Sequence, residues 1–126
     1  MKKFWLGVVL LAALLVGGLL NAWGMEKSHS HIASLLTQAA DLALSGDITR
    51  GTEKAAEAQA HWDRYRNAVA AVADHQPLEN VEALFAQLKT YGEASATVSF
   101  AATCQEASRQ VEAVGDAQTL KWQNLL

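Results

Sequence analysis

The chain has 126 residues, a formal charge of −3 and a pI of about 5.7, and that length bounds it to one domain at most. A lone cysteine, Cys104, excludes an intramolecular disulfide, and a single proline argues against a loop-rich or collagen-like chain. No basic stripe is present to displace counterions from phosphates, which excludes nucleic acid as a partner.

The apolar content of 51% is unevenly placed. Residues 1–23 read MKKFWLGVVLLAALLVGGLLNAW, with 17 apolar side chains and no polar one from Phe4 to Leu20. Extended through Asn21, Ala22 and Trp23, the run reaches the roughly 20 residues that a helix needs to cross a bilayer core. Lys2 and Lys3 precede it and hold that end in the cytoplasm, and Trp5 and Trp23 stand where interfacial aromatics belong. Residues 1–23 therefore read as a membrane anchor contacting lipid from Phe4 to Trp23, with 24–126 extracytoplasmic. A cleaved signal peptide is the competing reading and leaves a secreted protein. It is disfavoured because the run exceeds the usual apolar region and Ala22-Trp23-Gly24 is a poor cleavage site. Small residues four apart, Ala13 with Gly17 and Gly18 with Ala22, offer a weak signal for packing of two anchors.

Residues 24–126 have a different composition: 47 of 103 are apolar, 21 of those are alanine, and the charge is −5. Alanine at this density favours helix, and no segment alternates with period two for more than a few residues. The first stripe is Met25, Ile32, Leu35, Leu36, Ala39, Leu42 and Ala43. Gly46 ends it, and Asp47 or Thr49 caps the next helix. The second stripe is Ala55, Ala58, Trp62, Tyr65, Val69 and Val72, stopping near Asp74-His75-Gln76-Pro77, where proline suits the first turn of a new helix and disfavours helix before it. The third is Leu78, Val81, Leu84, Phe85, Leu88 and Tyr91. Carried past Gly92, the same phase gives Val98, Ala101, Ala102, Gln105, Ser108, Val111 and Val114. Residues 77–91 and 93–125 read as two helices or as one bent helix, with Gly92 and the small residues after it favouring a break.

Short connections at 46–48 and 75–77 make neighbouring helices antiparallel. The expected fold class is all-α: an antiparallel bundle of three to four helices following an N-terminal transmembrane helix, the anchor and first helix forming one rod of about 40 residues. So much alanine leaves a thin core, which points to self-association or a partner as a source of further burial.

Trp62 in a helix, Asp74-His75, the Leu78–Val81–Leu88–Tyr91 helix and a closing Gln123-Asn124-Leu125-Leu126 resemble a family of short proteins known only as a domain of unknown function. Its members, mostly from anaerobic Gram-positive bacteria, have an N-terminal hydrophobic helix and about 100 helical residues. The resemblance covers nearly the whole chain, rests on packing residues and implies no catalytic residue or cofactor. Some genes of the family adjoin genes for a multi-span membrane protein, which implies a membrane complex. This chain departs from the pattern in its higher alanine content and in Gly92 and Gly115.

Candidate chemistry is sparse. His29 and His31 in Ser-His-Ser-His are nearest to a metal motif, but residues two apart on a helix point about 200° from one another, and only Glu26 is a nearby acid. Glu57 and His61, one turn apart with Arg64 beyond, suit proton transfer in a cleft and otherwise a solvated surface interaction. His75, between Asp74 and Pro77 with Glu79 four residues on, suits a helix-end or loop hydrogen bond, or a recognition point for a partner. Cys104 among alanines reads as a small buried hydrophobe, or as an intermolecular cross-link if exposed. Trp62, Tyr65 and Trp122 read as packing residues. No phosphate loop, HExxH, GxSxG or paired-carboxylate motif occurs, so no catalytic, cofactor or metal residue is assigned. The expected function is non-enzymatic: binding a partner membrane protein or a second copy. A ligand-sensing ectodomain is the alternative, weakened because only three residues precede Phe4.

Overall fold

A computed structural model of the chain describes residues 2–70 and 75–125, with side chains described at 2–17, 28–70 and 75–117. Four helices are present among the described residues and no strand: α1 (Lys2–Leu44), α2 (Ile48–Val69), α3 (His75–Glu93) and α4 (Thr97–Leu125). α1 packs on α2 and α4, and α3 packs on α4 and more thinly on α2, so each helix has two neighbours around an up-down-up-down bundle. The fold class is the expected all-α one, with four helices.

α1 is continuous over 43 residues, about 65 Å at about 1.5 Å per residue, in line with the expected rod. Its two ends differ. From Phe4 to Val16 the large apolar side chains are exposed all round, Phe4 at 76% and Leu14 at 70%. From Ile32 to Ala43 one stripe is buried: Ile32, Leu35, Leu36, Ala39, Ala40 and Ala43. Among the described residues no helix is long and apolar enough to cross a membrane. The expected span from Phe4 to Trp23 has its last six side chains, 18–23, outside the described set, as do Met25, Val72, Asp74, Trp122 and the closing residues 123–126.

The α1–α2 and α3–α4 connections are the same motif built with different residues. Asp47 N donates to Leu42 O at 2.9 Å and Gly46 N to Ala43 O at 3.1 Å; Ala96 N donates to Tyr91 O at 2.9 Å and Ser95 N to Gly92 O at 3.2 Å. Each is a Schellman end that requires a left-handed residue, supplied by Gly46 at φ 98° and by Ser95 at φ 52°. Asp47 then caps α2, its carboxylate accepting from Arg50 N at 3.1 Å, as expected.

Three expectations about boundaries and phase need correction. The break after α3 falls at residues 94–96, among the small residues after Gly92 and not at Gly92 itself, because a serine takes the left-handed role in which glycine is usual. Gly92 is instead helical and lets α3 approach α2: a Cβ there would stand 2.8 Å from Thr52 Oγ1. The non-helical residues reset the phase, so α4 buries Phe100, Ala101, Cys104, Ala107, Val111 and Val114, leaving Val98 75% exposed and Ala102 and Gln105 on the surface. Residues 75–77 are not a connection but the first turn of α3, and Pro77 stands in that turn as expected, where its missing N–H costs no intrahelical bond.

Candidate functional site

The end of the bundle adjoining the N-terminal half of α1 collects most of the unusual chemistry. In an up-down-up-down bundle the α2 end, the α3 start and the His29–His31 stretch of α1 meet there, so all four histidines lie at this end: His29, His31, His61 and His75.

His29 and His31 diverge as their spacing predicts. His29 is buried at 5%, tilted against Tyr65 with ring centroids 6.4 Å apart. It rests on Gly115 of α4, where a Cβ would lie 2.3 Å from its Cγ, so only glycine admits the ring. Below them lie Trp62, with centroids 5.8 Å from Tyr65, and Phe85, 6.5 Å from Trp62. Trp62 and Tyr65 are buried as expected, yet Trp62 Nε1 and Tyr65 Oη have no hydrogen-bond partner among the described residues. Desolvation pushes the Tyr65 phenol up to about 12, so the phenol stays protonated through physiological pH.

His31 points to the surface and meets His61 of α2 edge to face, centroids 4.8 Å apart and planes at 85°. The Arg64 guanidinium, a donor only, donates to His61 Nδ1 at 3.2 Å. Glu57 does not join His61: its carboxylate makes a solvated surface pair with Lys54 at 3.5 Å, and the alternative proton-transfer couple is not assembled. A little further on, Arg66 Nε lies 2.5 Å from Glu82 Oε1, tying α2 to α3. That carboxylate sits off the N–H direction, which makes the contact more Coulombic than a directed hydrogen bond. His75, the first residue of α3, is exposed, and its neighbour Asp74 lies outside the described residues. No group of three or more His, Cys, Asp or Glu suited to a metal ion occurs among the described residues.

The chain belongs to the family described as Domain of unknown function (DUF4363). The family model matches residues 23–125, most of the chain, and the resemblance to an uncharacterised family agrees with it. No curated protein and no solved structure matches.

Two further features lie away from this end. Between α2 and α3 an open groove of about 370 Å³ is floored by Ala55, Ala56, Phe85 and Leu88, with Gln59 and Lys89 at its rim. Alanines on α2 leave it open, while Gly92 on Thr52 at one end and Arg66 with Glu82 at the other pin the two helices. Cys104 is fully buried, and burial pushes its thiol up to about 12, so it is the inert packing residue expected and not a surface cross-link.

The pairing of His31 with His61, thirty residues apart, is absent from any sequence motif. The available signal was topological. Antiparallel short-loop helices bring the end of α2 beside the region of α1 one helix-length upstream, which is where Ser-His-Ser-His lies.

Proposed function

We propose that this DUF4363 protein is a single-pass, membrane-anchored bacterial protein. Its N-terminus lies in the cytoplasm and its helical bundle is extracytoplasmic. It carries out no catalysis and works by binding a neighbouring integral membrane protein or a second copy of itself. The observation that carries this reading is the contrast within α1: large apolar side chains exposed on every side from Phe4 to Val16, continuous with a helix that is amphipathic within the bundle. Ten large apolar side chains left in water are unfavourable at about 25 cal/mol per Å², and lipid around them removes that cost. Lys2 and Lys3 set the orientation. The absence of an assembled catalytic set among the described residues is why binding is preferred to catalysis.

The test is alkaline extraction of native membranes, protease accessibility of the bundle from each side, and cross-linking with mass spectrometry. Retention in the alkaline pellet, digestion from the outer side only, and a recurrent cross-linked partner or self-cross-link are expected. Release into the supernatant with Phe4–Trp23 still present, or digestion from the cytoplasmic side, overturns the reading.

The groove between α2 and α3 favours a second reading, a ligand-sensing ectodomain, because half-open apolar slots between helices accept small molecules. Saturable thermal stabilisation by a metabolite, abolished by filling the slot with Ala56→Trp, distinguishes it.

A further inference from the structure

We propose that His31 and His61 form a surface site for one divalent transition-metal ion of borderline softness, Zn²⁺, Ni²⁺ or Cu²⁺, which clamps α1 to α2 where the bundle adjoins the N-terminal half of α1. The two rings come from different helices and stand with centroids 4.8 Å apart and planes at 85°. A metal–nitrogen bond of about 2.0–2.1 Å puts each ring centroid about 3.2 Å from the ion. Two imidazoles at nitrogen–metal–nitrogen angles of about 90–109° then have centroids about 4.5–5.2 Å apart, a range that includes the observed separation. Rotation about the broad ring torsions turns one nitrogen of each toward the ion without moving either helix.

His31 is exposed and His61 half-buried, so water completes the coordination sphere. Imidazole donors select borderline metals over Mg²⁺ and Ca²⁺, which take oxygen ligands. His29 does not contribute because it faces the core, and Glu57 does not because it holds Lys54. Arg64 is a competitor: by donating to His61 Nδ1 it occupies the lone pair there and leaves the proton on Nε2. An ion must displace that guanidinium or shift the tautomer.

The test uses the tag-free full chain in detergent, titrated with ZnCl₂, NiCl₂ and CuCl₂ by calorimetry and followed by Tm. One saturable ion per chain is expected, tightest for Cu²⁺, with Tm raised by about 5 °C at excess metal and no response to MgCl₂. His31→Ala and His61→Ala each abolish saturable binding up to about 1 mM and the Tm rise with it, His75→Ala leaves both unchanged, and Arg64→Ala tightens binding. Cu²⁺-induced broadening of ring proton resonances in the unsubstituted chain, confined to His31 and His61, gives a second readout independent of variant folding. Absence of saturable binding up to about 1 mM, binding that survives either alanine substitution, or broadening centred on His29 or His75 overturns the proposal.

Discussion

The two halves of α1 are covalently one helix and physically two objects. Residues 4–16 present leucine, valine and aromatic side chains in every direction, whereas residues 29–43 present Ile32, Leu36, Ala39 and Ala43 to α2 and α4 and polar side chains outward. Backbone hydrogen bonding is the same in both, so the difference lies entirely in what surrounds the side chains. A helix apolar all round satisfies its own backbone and needs an apolar solvent, while a striped helix needs other stripes. The lesson is that helix continuity says nothing about environment; the width of the apolar stripe does.

A charge placed in each half separates them most sharply. Leu36→Arg buries a cation at a fully enclosed position and is expected to cost about 4 kcal/mol or more, unfolding the bundle by urea titration while leaving the chain in the alkaline pellet. On the anchor proposed above, Leu14→Arg stands at mid-span and costs about 3 kcal/mol, so it is expected to reverse the pattern, lowering membrane retention with an unchanged bundle transition. If both variants change the same observable, the two halves are not independent and the comparison fails.

Trp62→Ala removes the largest fully buried side chain among the described residues and is expected to lower bundle stability by about 3–5 kcal/mol, again without loss from membranes. Gly115→Ala presses a methyl into the His29 ring. The better helix propensity of alanine, about 1 kcal/mol, offsets part of an overpacking cost of about 1–3 kcal/mol, so a net loss of up to about 2 kcal/mol is expected. Combining it with His29→Ala, which removes the ring, restores the difference between alanine and glycine at 115 to a gain. A failure to do so means the α1–α4 approach is limited elsewhere. Ser95→Gly is expected to stabilise the bundle by about 1 kcal/mol, since a left-handed serine costs about 1–2 kcal/mol and the added chain entropy of glycine returns part of that.

The smallest effect at neutral pH is an alkaline one. Burial raises the Cys104 thiol from 9.0 and the Tyr65 phenol from 10.0, each to about 12. Both groups stay protonated in the folded chain while the unfolded chain ionises, so stability is full below about pH 9 and declines between about pH 9 and 12. Urea midpoints measured from pH 7 to 11 are expected to be flat and then fall, with a shallower fall in Cys104→Ala. A decline confined to membrane retention, with no change in the bundle transition, contradicts the burial of these two groups.

Much of the bundle is legible in the sequence. Ile32, Leu36, Ala58, Trp62, Val81 and Phe85 are core residues placed by period alone, because a local helix turns every apolar stripe to one side. Gly46 and Asp47 were readable because their turn chemistry is residue-specific. A break after Gly92 is legible in the small residues there, but the phase of α4 is not, because Ser95 adopts a left-handed conformation that its residue type does not announce, which exposes Val98 and buries Phe100. Of the candidate site, the divergence of His29 and His31 followed from helical geometry, while the partner of each did not.

Composition, charge and apolar period determined on their own that this chain is helical, which faces of its helices pack, and that its first residues differ in kind from the rest. Only the tertiary structure decided that His29 fills the notch of Gly115, that His31 meets His61, and that α2 and α3 stay apart over an alanine-floored groove. The physical reason is that period sets the rotation of a helix about its axis, whereas contacts between residues 30 to 90 apart depend on how far helices slide along one another. That axial register is settled by side-chain volume across the interface, and no single helix carries it.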